Sequence, residues 1–418
     1  MDELRQPRKN PMTPNTLLLQ KKWRTLWLLA LAELLGMAVW FSASAVVPIL
    51  TDLWQLTDGG RAWLTMSVQI GFVVGALLSA VLNLADRIPA RYLFPATATL
   101  AGLTTIAIPL LAQGLRFALL MRFLTGVFLA GVYPVGMKIM ATWTKEDRGL
   151  GIGLLVGALT LGSAMPHLLA VFGGVTQWET VLYLAGGLAI LGGIIGVTFV
   201  DEGPYRSKTP PFNFRYVLKI LRDRDLFLAN LGYLGHMWEL YAMWSWIPIF
   251  LLASFTQSGL SAVWASGLSF GVIALGGLGS LIAGKLADQY GRTTITTISM
   301  ICSGLCSLIV GFFFGGNPII LAIIVLFWGL MIVADSAQFS AAVSELAPSD
   351  YVGTALTLQT SLGFLLTLFT IRLIPPIETT FGWPWAFPIL ALGPAVGTWA
   401  MWRLKKSPNA TKLANGRG

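Results

Sequence analysis

Between Leu26 and Trp402 the chain repeats one unit, a run of about twenty apolar residues followed by a short break rich in glycine, proline or charge. A hydrocarbon layer about 30 Å thick takes roughly 20 residues rising 1.5 Å each, so runs of this length are what a membrane-spanning helix requires. The runs are continuous rather than alternating, which selects helices over a barrel, whose strands turn every second residue to lipid. Only 11% of the residues are charged, against about 25% in an ordinary soluble domain. A soluble fold is excluded.

The runs lie near 25–50, 62–84, 92–113, 117–142, 149–172 and 179–200, then 226–252, 261–286, 293–315, 318–344, 352–376 and 382–403. The expected organisation is an N-terminal tail (1–24), a six-helix bundle (25–200), a basic linker (201–225), a second six-helix bundle (226–403) and a C-terminal tail (404–418). This is an all-α membrane protein of twelve transmembrane helices. The basic N-tail, the apolar stretch and Ala43-Ser44-Ala45 imitate a cleaved leader. Glu33 inside the stretch, and a counterpart to it in the second half, assign the segment to the fold instead.

A net charge of +9 would raise the question of nucleic acid in a soluble chain. Here all but four of the 28 lysines and arginines fall in the tails and in every second loop, the exceptions being Arg61, Arg116, Arg122 and Arg372. Such a bias places both termini and the linker in the cytoplasm. Loops 86–91, 138–148, 201–225 and 285–292 are basic, whereas 52–60, 173–179, 253–260 and 315–318 hold no Lys or Arg. Loop 345–350 should be cytoplasmic yet has no positive charge. Val217-Leu218-Lys219-Ile220-Leu221-Arg222 predicts a short interfacial helix in the linker. Cys302 and Cys306 sit four apart on one helix and read as packing residues; no metal site or cofactor is expected.

The halves repeat at an offset near two hundred residues. Pro48 answers to Pro248, Gly75 to Gly277, Leu84-Ala85-Asp86 to Leu286-Ala287-Asp288, and Asp147 to Asp350. The second half carries Gly284-Lys285-Leu286-Ala287-Asp288-Gln289-Tyr290-Gly291-Arg292, which resembles the loop signature of the major facilitator superfamily. Gly291 permits a tight reversal, and Asp288 offers a carboxylate to a helix N-terminus and an arginine. The resemblance covers the whole chain and implies two pseudo-symmetric six-helix bundles, a substrate site between them at midplane, and a gating role for Gly284, Asp288, Gly291 and Arg292. In the first half Leu82 and Pro89 replace the two glycines, leaving Asp86, Arg87 and Arg91. Arg122-Phe123-Leu124-Thr125-Gly126 matches the family's R-x-x-x-G in the fourth helix. The fifth helix lacks the G-P-x-x-G-G stretch of proton-coupled drug exporters, and the second helix of each half lacks the arginine of nitrate porters.

A charge at midplane costs several kcal/mol, so the few present carry information. Glu33, Arg122, His236 with Glu239, and Asp335 fall on helices 1, 4, 7 and 10, which the resemblance turns toward the central cavity. They are the candidate proton-coupling groups, with His236 and Glu239, three apart on one face, as the leading pair. Each also admits a static role: Glu33 and Asp335 as partners of loop arginines, Arg122 as a brace on carbonyls or a carboxylate. His167 and Arg372 read as a packing residue and a snorkelling one. Trp40, Trp238, Tyr241, Trp244 and Gln338 are candidate substrate-wall groups, with Gln69 and Gln359 of lower rank.

The expected function is secondary transport by alternating access, driven by protons and moving a small polar or anionic metabolite across the inner membrane, by a monomer surrounded by lipid. A proton-driven exporter of amphiphilic compounds is the alternative. A membrane-embedded enzyme or receptor is disfavoured by the repeat, the loop signature and the lack of a phosphate-binding loop. With Ser207→Cys and Ser258→Cys, an impermeant thiol reagent added outside intact cells should label position 258 and spare 207. Labelling of 207 alone would invert the orientation.

Overall fold

Hydrocarbon offers no water to a peptide group, so each pass has to close its own backbone hydrogen bonds. In the computed structural model, which describes residues 14–112, 114–144, 148–173, 177–205, 213–348 and 350–418, it does so with helices. The first six passes are Pro14–Met37 continued by Val47–Trp54, Asp58–Val81, Ala90–Leu111, Leu115–Leu129 continued by Tyr133–Trp143, Arg148–Gly173 and Trp178–Phe199. The linker forms Phe214–Arg222. Passes 7 to 12 are Arg224–Gln257, Ala262–Tyr290, Arg292–Ile309, Pro318–Ala334 continued by Ser336–Leu346, Val352–Phe381 and Leu392–Lys405.

Among the described residues nine passes are long and apolar enough to span a bilayer by length and composition alone. The other three are charged near their start by Lys21, Lys22 and Arg24 (pass 1), diluted by His236, Glu239 and many aromatics (pass 7), or led in by the short turns Trp383–Ala386 and Pro388–Ala391 (pass 12). Together they make twelve crossings in two six-helix bundles. Residues Asp147, Arg206, Ser207 and Lys208, and the side chain of Asp86, lie outside the described residues.

Local chemistry sets the helix ends. Asp223 stops the linker helix and starts pass 7, its Oδ1 accepting from the backbone N–H of Asp225 and Leu226, both at 3.0 Å. The linker helix is held to the second bundle by Tyr216 stacked on Tyr351 at 4.9 Å and by buried Ile220, with Leu218 and Leu221 exposed. Three passes break at mid-depth: pass 1 after Met37, pass 4 at Ala130–Val132 ahead of Pro134, and pass 10 at Asp335. Pass 7 runs unbroken through Pro248.

Packing within each bundle repeats across the halves. A Cβ built on Gly126 of pass 4 would lie 1.9 Å from the Val68 carbonyl oxygen of pass 2, and one on Gly329 of pass 10 would lie 2.0 Å from that of Val272 in pass 8. Passes 2 and 4, like passes 8 and 10, therefore touch backbone to backbone, which only glycine permits. The halves meet along passes 2 and 11, where Thr367 Oγ1 donates to Gln69 Oε1 at 2.8 Å, and along passes 5 and 8, where a Cβ on Gly277 would lie 3.1 Å from the Gly157 carbonyl oxygen.

Gly126→Ala should force passes 2 and 4 apart and lower the thermal unfolding midpoint of the purified protein, at a cost of about 1–3 kcal/mol for overpacking. Gly187→Ala, whose Cβ would meet nothing within 4 Å, is the control. Equal midpoints for the two variants would show that the interface yields.

Candidate functional site

Between the bundles lies a cavity of about 470 Å³, walled by passes 1, 2, 4, 5, 7, 10 and 11. Its mouth is at the basic-loop side, where Asn83, Lys138, Ser344 and Gly353 line it, and it ends at mid-depth on a floor of rings. Trp40 meets Phe72 at 5.1 Å, Phe364 at 5.4 Å and Tyr241 at 5.9 Å, and Phe41 backs them against Trp244 at 5.8 Å. Both halves contribute, so the floor is also the seal on the far side. Edge-on and tilted ring contacts of this kind add about 0.5–1.5 kcal/mol beyond burial. The indole N–H groups of Trp40 and Trp244 are buried and have no acceptor among the described residues.

The floor exists because pass 1 unwinds there, and the unwound carbonyls need donors. Arg122, fully buried on pass 4, supplies them. Its Nη1 donates to the Val39 carbonyl at 2.7 Å and to Ser42 Oγ at 3.3 Å, its Nε to the Leu64 carbonyl at 3.3 Å, and its Nη2 to the Trp40 carbonyl. Every acceptor is neutral, and no carboxylate meets the guanidinium among the described residues. Glu33, one helical turn before the break, is equally buried; both its oxygens lack a hydrogen-bond partner among the described residues, and Oε2 faces Gly136 of pass 4, 2.8 Å from where a Cβ would sit.

The second half holds His236, Glu239 and Asp335 away from the cavity, inside its own bundle. His236 Nδ1 lies 2.9 Å from Asp335 Oδ1 at the break in pass 10. The approach is off the direction of a good hydrogen bond, since that oxygen has no directed partner, and it makes an ion pair only with a protonated ring. His236 Nε2 has no partner among the described residues. Glu239 turns elsewhere: Oε1 accepts from Trp328 Nε1 and Oε2 from Ser303 Oγ, each at 2.8 Å. The expected His236 and Glu239 neighbours thus take different partners, and Asp335 joins His236 rather than a loop arginine.

At the start of pass 9, on the basic-loop side, Arg292 forms a fork onto Glu345, Nε to Oε2 at 2.8 Å and Nη2 to Oε1 at 2.5 Å, while Nη1 donates to Gln338 Oε1 at 2.8 Å. Gln338 therefore sits with the loop signature and not on the cavity wall. Asp288 Oδ1 is 3.5 Å from Arg292 Nη1 with its carboxylate 54% exposed, Gly291 turns the chain at φ +92°, and Gly284 is loosely packed. In the first half Arg87 and Arg91 are exposed, Arg91 lying over the Tyr92 ring. Tyr241 and Trp244 line the cavity with Trp40, whereas Trp238 is off it, its Nε1 donating to the Ile389 carbonyl at 3.1 Å. His167 is buried, and Gln359 accepts from Ser340 at 3.4 Å. Reading the sequence missed Trp328, Ser303, Phe72, Phe364 and Glu345. The last had a signal: a carboxylate in the one expected cytoplasmic loop without a basic residue.

The sequence profile of the Major Facilitator Superfamily matches residues 29–371. The 3-(3-hydroxy-phenyl)propionate transporter of Escherichia coli is 22% identical over 306 residues, 68% of this chain and 74% of that protein. The niacin transporter NiaP of Acinetobacter baylyi is 29% identical over 171 residues, 38% of this chain and 36% of that one. The probable L-galactonate transporter of Escherichia coli is 23% identical over 261 residues, 54% and 58% of the two chains. Among solved structures, the nucleoside transporter NupG superposes with a TM-score of 0.70 at 15% identity, covering 91% of this chain and 100% of its own. The proton:xylose symporter XylE gives 0.72 at 13% identity, covering 92% and 96%.

Arg122→Leu should leave the Trp40 carbonyl without its side-chain donor, at about 1–3 kcal/mol where water is excluded, and take one of several donors from the Val39 carbonyl, which keeps Ser42 Oγ at 2.9 Å. The expected result is a sharp fall in the unfolding midpoint, with Arg122→Lys intermediate because it keeps the charge and loses the fork. An unchanged midpoint in Arg122→Leu would mean that the unwound segment finds other donors.

Proposed function

The chain belongs to the major facilitator superfamily, and on that premise we propose that it is a proton-coupled secondary transporter moving a small organic anion across the inner membrane by alternating access. The observation that carries the anion is the cavity floor. Trp40 and Trp244 line the cavity, their buried indole N–H groups have no acceptor among the described residues, and the described lining includes no carboxylate. Behind that floor Arg122 is matched only by neutral oxygens, so its field favours negative charge at the rings. Three relatives are named for organic acids, a hydroxyphenylpropionate, niacin and galactonate, which supports the same class.

The proton is assigned to the buried groups of passes 1, 7 and 10: Glu33, His236 with Asp335, and Glu239. Each is costly to keep charged in a dry interior, and each changes charge by one proton. Tyr233 and Met237 of pass 7 and Ser336 and Ala337 of pass 10 line the cavity, so His236 and Asp335 lie one side chain behind its wall. The pass breaks put movable backbone next to these groups, and a change of packing there would open or shut their route to water. The orientation expected from the basic loops makes the mouth cytoplasmic, so the structure is inward-open, with the rings as the closed outer gate. The Asp288 and Arg292 element, and in looser form Asp86, Arg87 and Arg91, close the mouth in the opposite state.

Uptake into proteoliposomes tests both parts. Organic anions should accumulate under an inward proton gradient and their neutral amides should not. Glu239→Gln and Asp335→Asn should abolish accumulation yet keep downhill exchange, with its pH dependence flattened. A variant that still accumulates substrate removes its residue from the coupling path, and accumulation of the amides would discard the anion.

A further inference from the structure

The segment following pass 12 does not leave the molecule. Residues Pro408–Gly416 turn back across the basic-loop ends of passes 7, 8, 9 and 10, burying Leu413 completely and Ala414 almost so. Asn409 Nδ2 donates to Asp225 Oδ2 at 2.6 Å, tying the segment to the first turn of pass 7. The Ala414 N–H donates to Glu345 Oε2 at 3.1 Å, the same oxygen that takes Arg292 Nε. Arg417 Nη1 donates to the Asp288 carbonyl, and the Thr293 N–H donates to the Gly418 carbonyl at 3.2 Å. A Cβ on Gly291 would lie 2.3 Å from the Arg417 carbonyl oxygen, so this glycine serves the close approach of the segment as well as the turn.

The backbone of the segment bears the cost of reaching these partners. Ala414 and Asn415 stand at φ +45° and +56°, consecutive left-handed residues that are not glycine. Such residues cost of order 1 kcal/mol each and persist where the surroundings over-determine them. Here the surroundings are Glu345, into which the Ala414 N–H is aimed, and the pocket that holds Leu413. The described polar contacts of the segment go to the second half. It therefore does not bridge the mouth. It grips the inner side of the 288–293 turn and leaves the Asp288 carboxylate 54% exposed on the other side.

We propose that residues 408–418 are a positioning strap for the loop signature: they fix the 288–293 turn and the Arg292–Glu345 fork so that the Asp288 carboxylate stands ready to close the mouth. This rests on the gating role given above to Asp288. Without the strap the turn is free to relax, closure of the mouth becomes less favourable, and the inward-open state gains population.

The test uses the full chain, with Cys302 and Cys306 replaced by serine and Ser344→Cys placed at the mouth as a reporter. Labelling of that cysteine by an impermeant reagent, anion exchange and anion affinity are read in reconstituted protein. Arg417→Ala and Ala414→Pro should each raise the labelling rate about threefold and slow exchange about threefold, with affinity unchanged and Arg417→Lys restoring most of the loss. Combined with Asp288→Asn they should add nothing further, because both act through one element. If Asp288→Asn slows exchange and raises labelling while the strap variants lower only the unfolding midpoint, or if their losses add in full to those of Asp288→Asn, the strap is a stabilising tail and the proposal is overturned. If Asp288→Asn changes neither exchange nor labelling, the gating reading itself falls, and the strap with it.

Discussion

The contact between Arg122 and the unwound stretch of pass 1 is the constraint on which the site depends. A helix that stops at Met37 inside the membrane exposes carbonyl oxygens that neither lipid nor a neighbouring helix would satisfy. One planar guanidinium meets the Val39 and Trp40 carbonyls, Ser42 Oγ and the Leu64 carbonyl of pass 2, so a single side chain lets the backbone open without loss of hydrogen bonding. The opening places Trp40 and Phe41 at the meeting point of the halves, where they pack with Tyr241 and Trp244 of pass 7. Cavity floor, far-side seal and local electric field thus share one cause.

The halves are alike in backbone and unlike in chemistry. Their glycine contacts recur at matching passes, 2 with 4 and 8 with 10, because helix proximity follows from small residues. Their buried ionisable groups do not recur. The first half holds an arginine, a carboxylate and the histidine His167, with no ion pair among them in the described residues, whereas the second holds a histidine beside one carboxylate and a further carboxylate with two neutral donors. The scaffold is symmetric and its buried charge is not.

The architecture was legible because each of its causes is local. Apolar run length, loop charge and glycine spacing are properties of neighbouring residues, and they led to twelve passes and a repeat. That passes 1, 4, 7 and 10 each carry a buried ionisable group was legible for the same reason. Partnership was not. His236 and Glu239 share a face three residues apart, yet one meets Asp335 and the other meets Trp328 and Ser303, because side-chain direction and the break in pass 10 decide the partner. Gln338 reads as a wall residue until the fork of Arg292 takes it, and Trp238 reads as part of a stripe until the Ile389 carbonyl claims its N–H. Glu345 shows the reverse case, an apparent flaw in the charge pattern of its loop that is made good in space by Arg292.

The crossing of passes 5 and 8 has a mechanical consequence. Helices normally lock by setting the side-chain ridges of one into the grooves of the other, which selects a few crossing angles and resists passage between them. At this crossing Gly157 and Gly277 face each other with no ridge to engage, and Leu281 lies along the smooth strip from Gly153 to Gly157. Two surfaces without teeth can roll through a range of angles while staying in contact. The bundles thus have a bearing at mid-depth, and the resistance to their rotation falls on the ends, in the ring seal on one side and the charged loops on the other.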